Sequence, residues 1–249
     1  MAKRKGTLAA ILSSQGFGSH KDCQRLVRQG AVSLGREDSG GMAWSQAEDP
    51  DAQLNPEGLH LRVGAFEFPW REKLYLAFHK PAATECSHSP SHHQSVFALF
   101  PEPFLRRGLE AVGRLDADTT GLLFFTDSGA FNHFLTSPRK HVPKTYRVGT
   151  KHAITPGQIA KLIAGVELRG EEGPTMPARV AMLTENTCDL TVEEGKYHQV
   201  KRMFAAAGNR VESIHRIAIG SIKLEDDLAS GQWRWIQPVE LSALGFQEP

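Results

Sequence analysis

Residues 113–121 read Gly113-Arg114-Leu115-Asp116-Ala117-Asp118-Thr119-Thr120-Gly121 and run directly into LLFFTDSG, residues 122–129. A polar loop bounded by glycines thus feeds an apolar run that predicts a buried strand over 122–126. A loop held on a rigid scaffold in this way is where an acidic catalyst can be presented. Asp and Thr side chains also bond to nearby backbone groups, so the same residues suit an ordinary turn. Asp116 and Asp118 resemble a glycosidase pair only superficially, because two positions on one loop do not set that geometry.

Working outward, the strand at 122–126 is followed by a helix over 130–135, a strand over 145–148 and a helix over 156–164 with proline near its start. Further strands are expected at 178–183, 190–192, 211–219 and 233–236, and a helix at 198–207 that Gly208 ends. Before the loop, 74–78 reads as a strand and 95–100 as a short helix. Helices are interspersed without regular βαβ alternation, which predicts an α+β fold on a mainly antiparallel sheet with flanking helices. The N-terminal part reads differently. Leu8, Ile11 and Leu12 have helical spacing, and Ser19 with Asp22 suggests a capped helix running to Gly30. Residues 31–34 and 59–68 read as extended, with a loop-rich excursion over 36–58. This divides the chain into domains 1–68 and 69–249.

The chain of 249 residues carries 29 Lys and Arg against 28 Asp and Glu, a net charge of +1. Forty per cent hydrophobic residues suffice for a core, which excludes disorder as the main state. No run of the hydrophobic set exceeds five residues, which excludes a helical membrane span. The three cysteines, Cys23, Cys86 and Cys188, form no C-x-x-C pair and suit a reducing compartment. A cytoplasmic location follows as the expectation. The balanced charge hides basic clusters: Lys3, Arg4, Lys5, Lys21, Arg25, Arg28 and Arg36; then Arg139 to Lys161; then Lys196, Lys201, Arg202, Arg210 and Arg216. Such clusters suit a polyanion such as nucleic acid, or equally a set of solvated faces.

Tyr146, within Lys144-Thr145-Tyr146-Arg147, is an aromatic among cations on an expected strand, where an unstacked base can lie. It also suits an ordinary half-buried strand tyrosine. Glu194-Gly195-Lys196-Tyr197-His198-Gln199-Val200-Lys201-Arg202 puts two cations at the start of a helix, either on a solvated face or opposite a carboxylate. His88, His92 and His93 in SHSPSHH are metal-ligand types, but no further ligands follow at a recognised spacing, and no metal site is expected. Phosphate-binding and dinucleotide fingerprints are absent, so no cofactor is expected.

Together these residues resemble the RsuA-type bacterial rRNA pseudouridine synthases. VGRLDADTTGLLFFTDSG (112–129) is similar to the family's catalytic motif, HVPKTYRV (141–148) to its tyrosine motif and EGKYHQVKRMFAAAGN (194–209) to its basic motif. HRIAIGSIKL and DLASGQWRW also look familial, and residues 8–35 resemble an S4 RNA-binding module. The resemblance implies an S4-like module followed by a synthase domain. It implies that Asp116 is the catalytic aspartate, that Tyr146 stacks on the uracil and takes part in proton removal, and that Arg114 holds the flipped nucleotide or fills its gap. Lys201 stands where related branches carry Arg and would pair with Asp116, with Arg202 the other candidate. Lys21, Arg25, Arg28 and Lys144 are the candidate RNA contacts. The implied reaction breaks C1′–N1, rotates the uracil and joins C1′ to C5 after base flipping, and needs no cofactor. The aspartate acts in it either by bonding to the sugar or by removing a sugar proton.

The Y-H-Q-V-K-R-M-F form of the basic motif resembles the branch acting on small-subunit (16S) rRNA, so a monomer acting on that RNA or a partly assembled particle is expected. Two alternatives remain: a large-subunit (23S) rRNA synthase, and a non-catalytic S4-type RNA-binding assembly factor.

Overall fold

The computed structural model describes residues 5–248, so Lys3 and Arg4 of the first basic cluster lie outside the described residues. It divides into two compact units. The first takes the chain up to Leu74 together with Phe100–Leu109; the second comprises Tyr75–Leu99 and the chain from Glu110 onward.

In the first unit, helices α1 (Leu8–Ser14) and α2 (His20–Arg28) precede the antiparallel strands β1 (Val32–Asp38), β2 (Gly41–Gln46), β3 (His60–Val63) and β4 (Phe66–Pro69). Their sheet order is β2-β1-β3-β4. The Ser19 hydroxyl and Asp22 carboxylate form a reciprocal capping box at the start of α2. The loop-rich excursion expected over 36–58 is in part a hairpin: β1 runs on to Asp38, turns at Ser39-Gly40 and returns as β2. The returning strand, GMAWSQ, is exposed except at half-buried Trp44 and lacks the apolar alternation by which a strand is read. The single extended piece expected over 59–68 is likewise a hairpin, β3–β4, turning at Gly64 with φ 58°. Residues Phe100–Leu109 fold here through α3 (Glu102–Arg106), whose Phe104 ring lies 5.0 Å from that of Phe68.

The second unit is built on one sheet with strands β5 (Tyr75–Lys80), β6 (Glu110–Val112), β7 (Thr120–Thr126), β8 (Lys144–Thr150), β9 (Arg179–Thr184), β10 (Thr187–Val192), β11 (Val211–Ile219) and β12 (Trp233–Trp235). The order is β9-β10-β8-β11-β7-β5-β12, with β6 also pairing with β7. Within that order only β7 and β11 run parallel, over Thr120↔His215 and Gly121↔Arg216. The fold is therefore α+β with a mainly antiparallel sheet, as the element pattern predicts. Helices α4 (Gly129–Thr136), α5 (Pro156–Ala164), α6 (Gln199–Ala207) and α7 (Pro238–Ala243) flank it.

The second unit holds two hydrophobic clusters. One joins Val148, Leu162, Leu190, Met203, Phe204 and Ile214. The other joins Ala77, Phe124, Phe131, Ile219, Ile236 and Phe246. Gly121 makes the parallel pair possible. Its φ is +105°, and a Cβ there would stand 2.3 Å from the Arg216 carbonyl oxygen. Among the described residues no helix is long and apolar enough to cross a membrane.

Candidate active site

The loop between β6 and β7 is anchored at both flanks of Asp116. Leu115 is buried and accepts a thiol contact from Cys86 Sγ at 3.6 Å through its carbonyl. The Ala117 carbonyl accepts from the Ala83 amide at 2.8 Å. Beneath the loop Lys80, the last residue of β5, is fully buried, and its ammonium donates to the Pro81, Ala117 and Thr119 carbonyls at 3.0, 3.3 and 3.0 Å. Burial holds the Lys80 ammonium below the ordinary lysine range, against the pull of Cys86, Asp118 and Asp116. Asp116 is thus projected from a rigid loop with its side chain 30% exposed.

Two groups from the α6 end meet that carboxylate. Lys201 Nζ lies 3.1 Å from Oδ2, and His198 Nε2 lies 3.2 Å from Oδ1. Lys201 also donates to both carboxylate oxygens of Asp118, at 2.8 and 2.9 Å. Burial pulls Lys201 down, but its hydrogen bonds to Asp118 and Asp116 and their charges outweigh this and hold it above the usual lysine value. The same hydrogen bond holds Asp118 below the usual carboxylate range. His198 takes its position from a left-handed backbone, φ 46°, at the N-cap of α6. A non-glycine residue there carries local strain.

Of the two cations at 201 and 202, Lys201 makes the Asp116 contact. Arg202 donates to Glu171 at 2.9 Å and to the Tyr197 carbonyl at 3.0 Å, bracing the turn before α6.

Strand β8 supplies further lining through Lys144 and Tyr146. Tyr146 pairs with Arg216 across β8 and β11, and a register irregularity falls between Thr145 and Tyr146. Such an irregularity re-aims a side chain next to a site. Arg216, counted in the third basic cluster, is not on a solvated face: it is only 3% exposed. Its Nε donates to the Leu122 carbonyl at 2.6 Å and Nη1 reaches the Tyr146 hydroxyl at 3.5 Å, while Nη2 has no hydrogen-bond partner among the described residues. Lys144, two residues from Tyr146 on the same face, has its ammonium pushed down to about 8 by burial and by Arg216.

Asp116, Arg114, Tyr146, Lys144, Lys201, His198 and Arg216 all line one cavity of about 480 Å³. That volume lies in the range of small-ligand sites. Arg114 is exposed at its rim and has no partner among the described residues. Lys21, Arg25 and Arg28 belong to the first unit, exposed at helical spacing on α2, with Arg25 also paired to Asp22 at 2.9 Å. Among the described residues no group of three His, Cys, Asp or Glu could hold a metal. In the histidine-rich loop, His88 stacks on Phe97 with ring centroids 3.6 Å apart. Glu85 accepts the Ser91, His92 and His93 amides, which push its carboxyl down to about 2.

Residues 74–206 match the family model described as RNA pseudouridylate synthase. The chain is 43% identical over 196 residues to the ribosomal small subunit pseudouridine synthase A of Vibrio parahaemolyticus, covering 76% of this chain and 82% of that protein. It is 37% identical over 227 residues to the protein of the same name from Pasteurella multocida, covering 90% and 93%. A solved structure described as a crystal structure of pseudouridylate synthase superposes with a TM-score of 0.66 at 32% identity, covering 96% of this chain and 99% of that one. Motif, cavity and kinship agree, and the chain belongs to the RNA pseudouridylate synthase family.

Proposed function

We propose that this chain isomerises one uridine of small-subunit ribosomal RNA to pseudouridine, with Asp116 as the catalytic carboxylate. The observation that carries the reading is the Asp116 carboxylate fixed between Lys201 and His198 on the wall of a cavity that Tyr146 also lines. The small-subunit assignment rests on the relatives' names and on the Tyr197-His198-Gln199-Val200-Lys201-Arg202 form of the basic motif.

In this reading the target uridine leaves its stack and enters the cavity. Tyr146 stacks on the uracil and Arg114 at the rim holds the backbone. Asp116 acts on the sugar, its charge balanced by Lys201. The C1′–N1 bond breaks, the uracil turns, C1′ joins C5, the C5 proton leaves and N1 gains one. The buried Arg216 and the neighbouring Lys144 put positive charge where the detached uracil carries its negative charge, the arrangement by which a preorganised site lowers a barrier. The first unit serves as the RNA-binding module, with Lys21, Arg25 and Arg28 of α2 neutralising phosphates. We place the reaction in the cytoplasm, on a partly assembled particle, because a module that reads folded RNA shape needs a folded substrate.

The test is tritium release from small-subunit particles labelled at uridine C5, with wild type and Asp116→Asn. The expected result is release that saturates near one per particle with wild type and none with the variant. Turnover by Asp116→Asn would overturn the assignment of the carboxylate, and no release by wild type would overturn the substrate.

A further inference from the structure

Beyond Asp116 lies a second concavity of about 470 Å³, lined by Cys86, Ser87 and Tyr197 and sharing Arg114, Asp116 and His198 with the first. We propose that it is a second nucleobase site, which takes the base adjoining the target uridine and stacks it on Tyr197. The proposal rests on reading the first cavity as the uridine site.

Tyr197 is 71% exposed. One face of its ring lies on the His198 ring, with centroids 3.8 Å apart and planes at 21°. The exposed face is open to a third ring. The backbone beneath is braced: Arg202 donates to the Tyr197 carbonyl at 3.0 Å, and the Lys196 amide donates to the Gln199 side chain at 3.1 Å. The ring is therefore positioned before any base arrives, so stacking carries little ordering cost. Stacking on such a platform accepts any base, because every base has a π-face.

The two concavities meet at the wall formed by Asp116 and His198. A nucleotide chain with one base in each lobe must pass its linking phosphate over that wall. Arg114, exposed and unpartnered among the described residues, stands there. The Glu85 carboxylate, at the edge of the second lobe, is engaged by three backbone amides, which offsets its repulsion of RNA.

The experiment titrates the dinucleotides UpA and ApU, and analogues of each lacking the adenine base, into the full chain and its Tyr197→Ala and Tyr197→Trp variants. With wild type, adenine in one of the two orders should tighten binding by about 5- to 150-fold, the range expected for one stacked base. Tyr197→Ala should abolish that gain and Tyr197→Trp keep it, while the compounds lacking adenine bind all three proteins equally. An adenine gain that survives Tyr197→Ala, or no gain in either order, would overturn the proposal. If the adenine-free compounds fail to bind wild type and no tritium is released from rRNA, the reading of the first cavity falls, and this one with it. Matching thermal melts of the three proteins exclude misfolding as the cause.

Discussion

Replacing Lys80 with Met tests whether the loop that presents Asp116 is held from below. The side chains are both unbranched, so the change removes the ammonium and leaves most of the apolar stem. The ammonium serves three carbonyls, and they do not suffer equally. Pro81 keeps the Thr84 hydroxyl at 2.9 Å and Ala117 keeps the Ala83 amide at 2.8 Å, whereas Thr119 loses the buried donor that reaches it at 3.0 Å. One buried carbonyl stripped of a partner costs about 1–3 kcal/mol, and the two weakened ones add to it. Removing a buried charge returns part of that, because burial already penalises this ammonium. The net loss comes to about 2 kcal/mol, which for a chain of this size lowers Tm by about 4–8 °C.

Activity should fall further than stability. A catalytic group misplaced by about 1 Å costs on the order of 100-fold in rate. The assay is tritium release well below Tm, set beside a thermal melt. A melt within about 1 °C of wild type, or kcat within about two-fold, would refute the reasoning that Lys80 holds the loop.

Gly121→Ala forces a Cβ to within 2.3 Å of the Arg216 carbonyl oxygen at φ +105°, so a loss of about 3 kcal/mol or more is expected, read as a Tm drop of at least about 6 °C. Asp118→Asn removes a 71% exposed partner of Lys201 but leaves Asp116 paired; stability should change by less than about 1 kcal/mol in a denaturant titration, and tritium release should stay within about ten-fold. Burial, His79 and Arg147 hold His215 below its ordinary value of 6.5, so the unfolded chain binds the proton more readily. Stability from this group is full above pH 6.5 and lost as pH falls through the lower folded value; His215→Gln should flatten that part of a Tm-against-pH curve.

The elements legible in the sequence were those with internal period or strong punctuation. Pro156 at the first helical position and the Val- and Ile-rich stretch of 211–219 mark their elements to the residue. Glu102–Arg106, at five residues, is too short to show a helical period, and Gly41–Gln46 is exposed over most of its length with its apolar residues consecutive rather than alternating. The helix Pro238–Ala243 was missed for the first of these reasons. At the site, Asp116, Tyr146 and Lys201 stand in motifs and could be named, and the structure brings them to one cavity. Lys80 could not, since its role depends on carbonyls 37 and 39 residues away. Arg216 looked like one cation among several until the β8–β11 register set it behind Tyr146. His198 gave no sign of its left-handed backbone, which is what turns its ring to Asp116.

The parallel pair of β7 and β11 is a seam as well as a contact. One hydrophobic cluster is drawn from residues 148–214 and the other from the flanking stretches, with β11 supplying Ile214 to the first and Ile219 to the second. Asp116 comes with one half, while Tyr146, His198 and Lys201 come with the other. Neither side carries all four groups, so the proposed chemistry exists only while the seam is closed; the parallel register at Thr120 and Gly121, the Arg216 bond to the Leu122 carbonyl and the packing of Ile219 with Phe124 hold it. Catalysis is then a more sensitive gauge of this joint than any spectroscopic measure of folded content. On warming or in denaturant, turnover should vanish while both halves still keep their helices and strands.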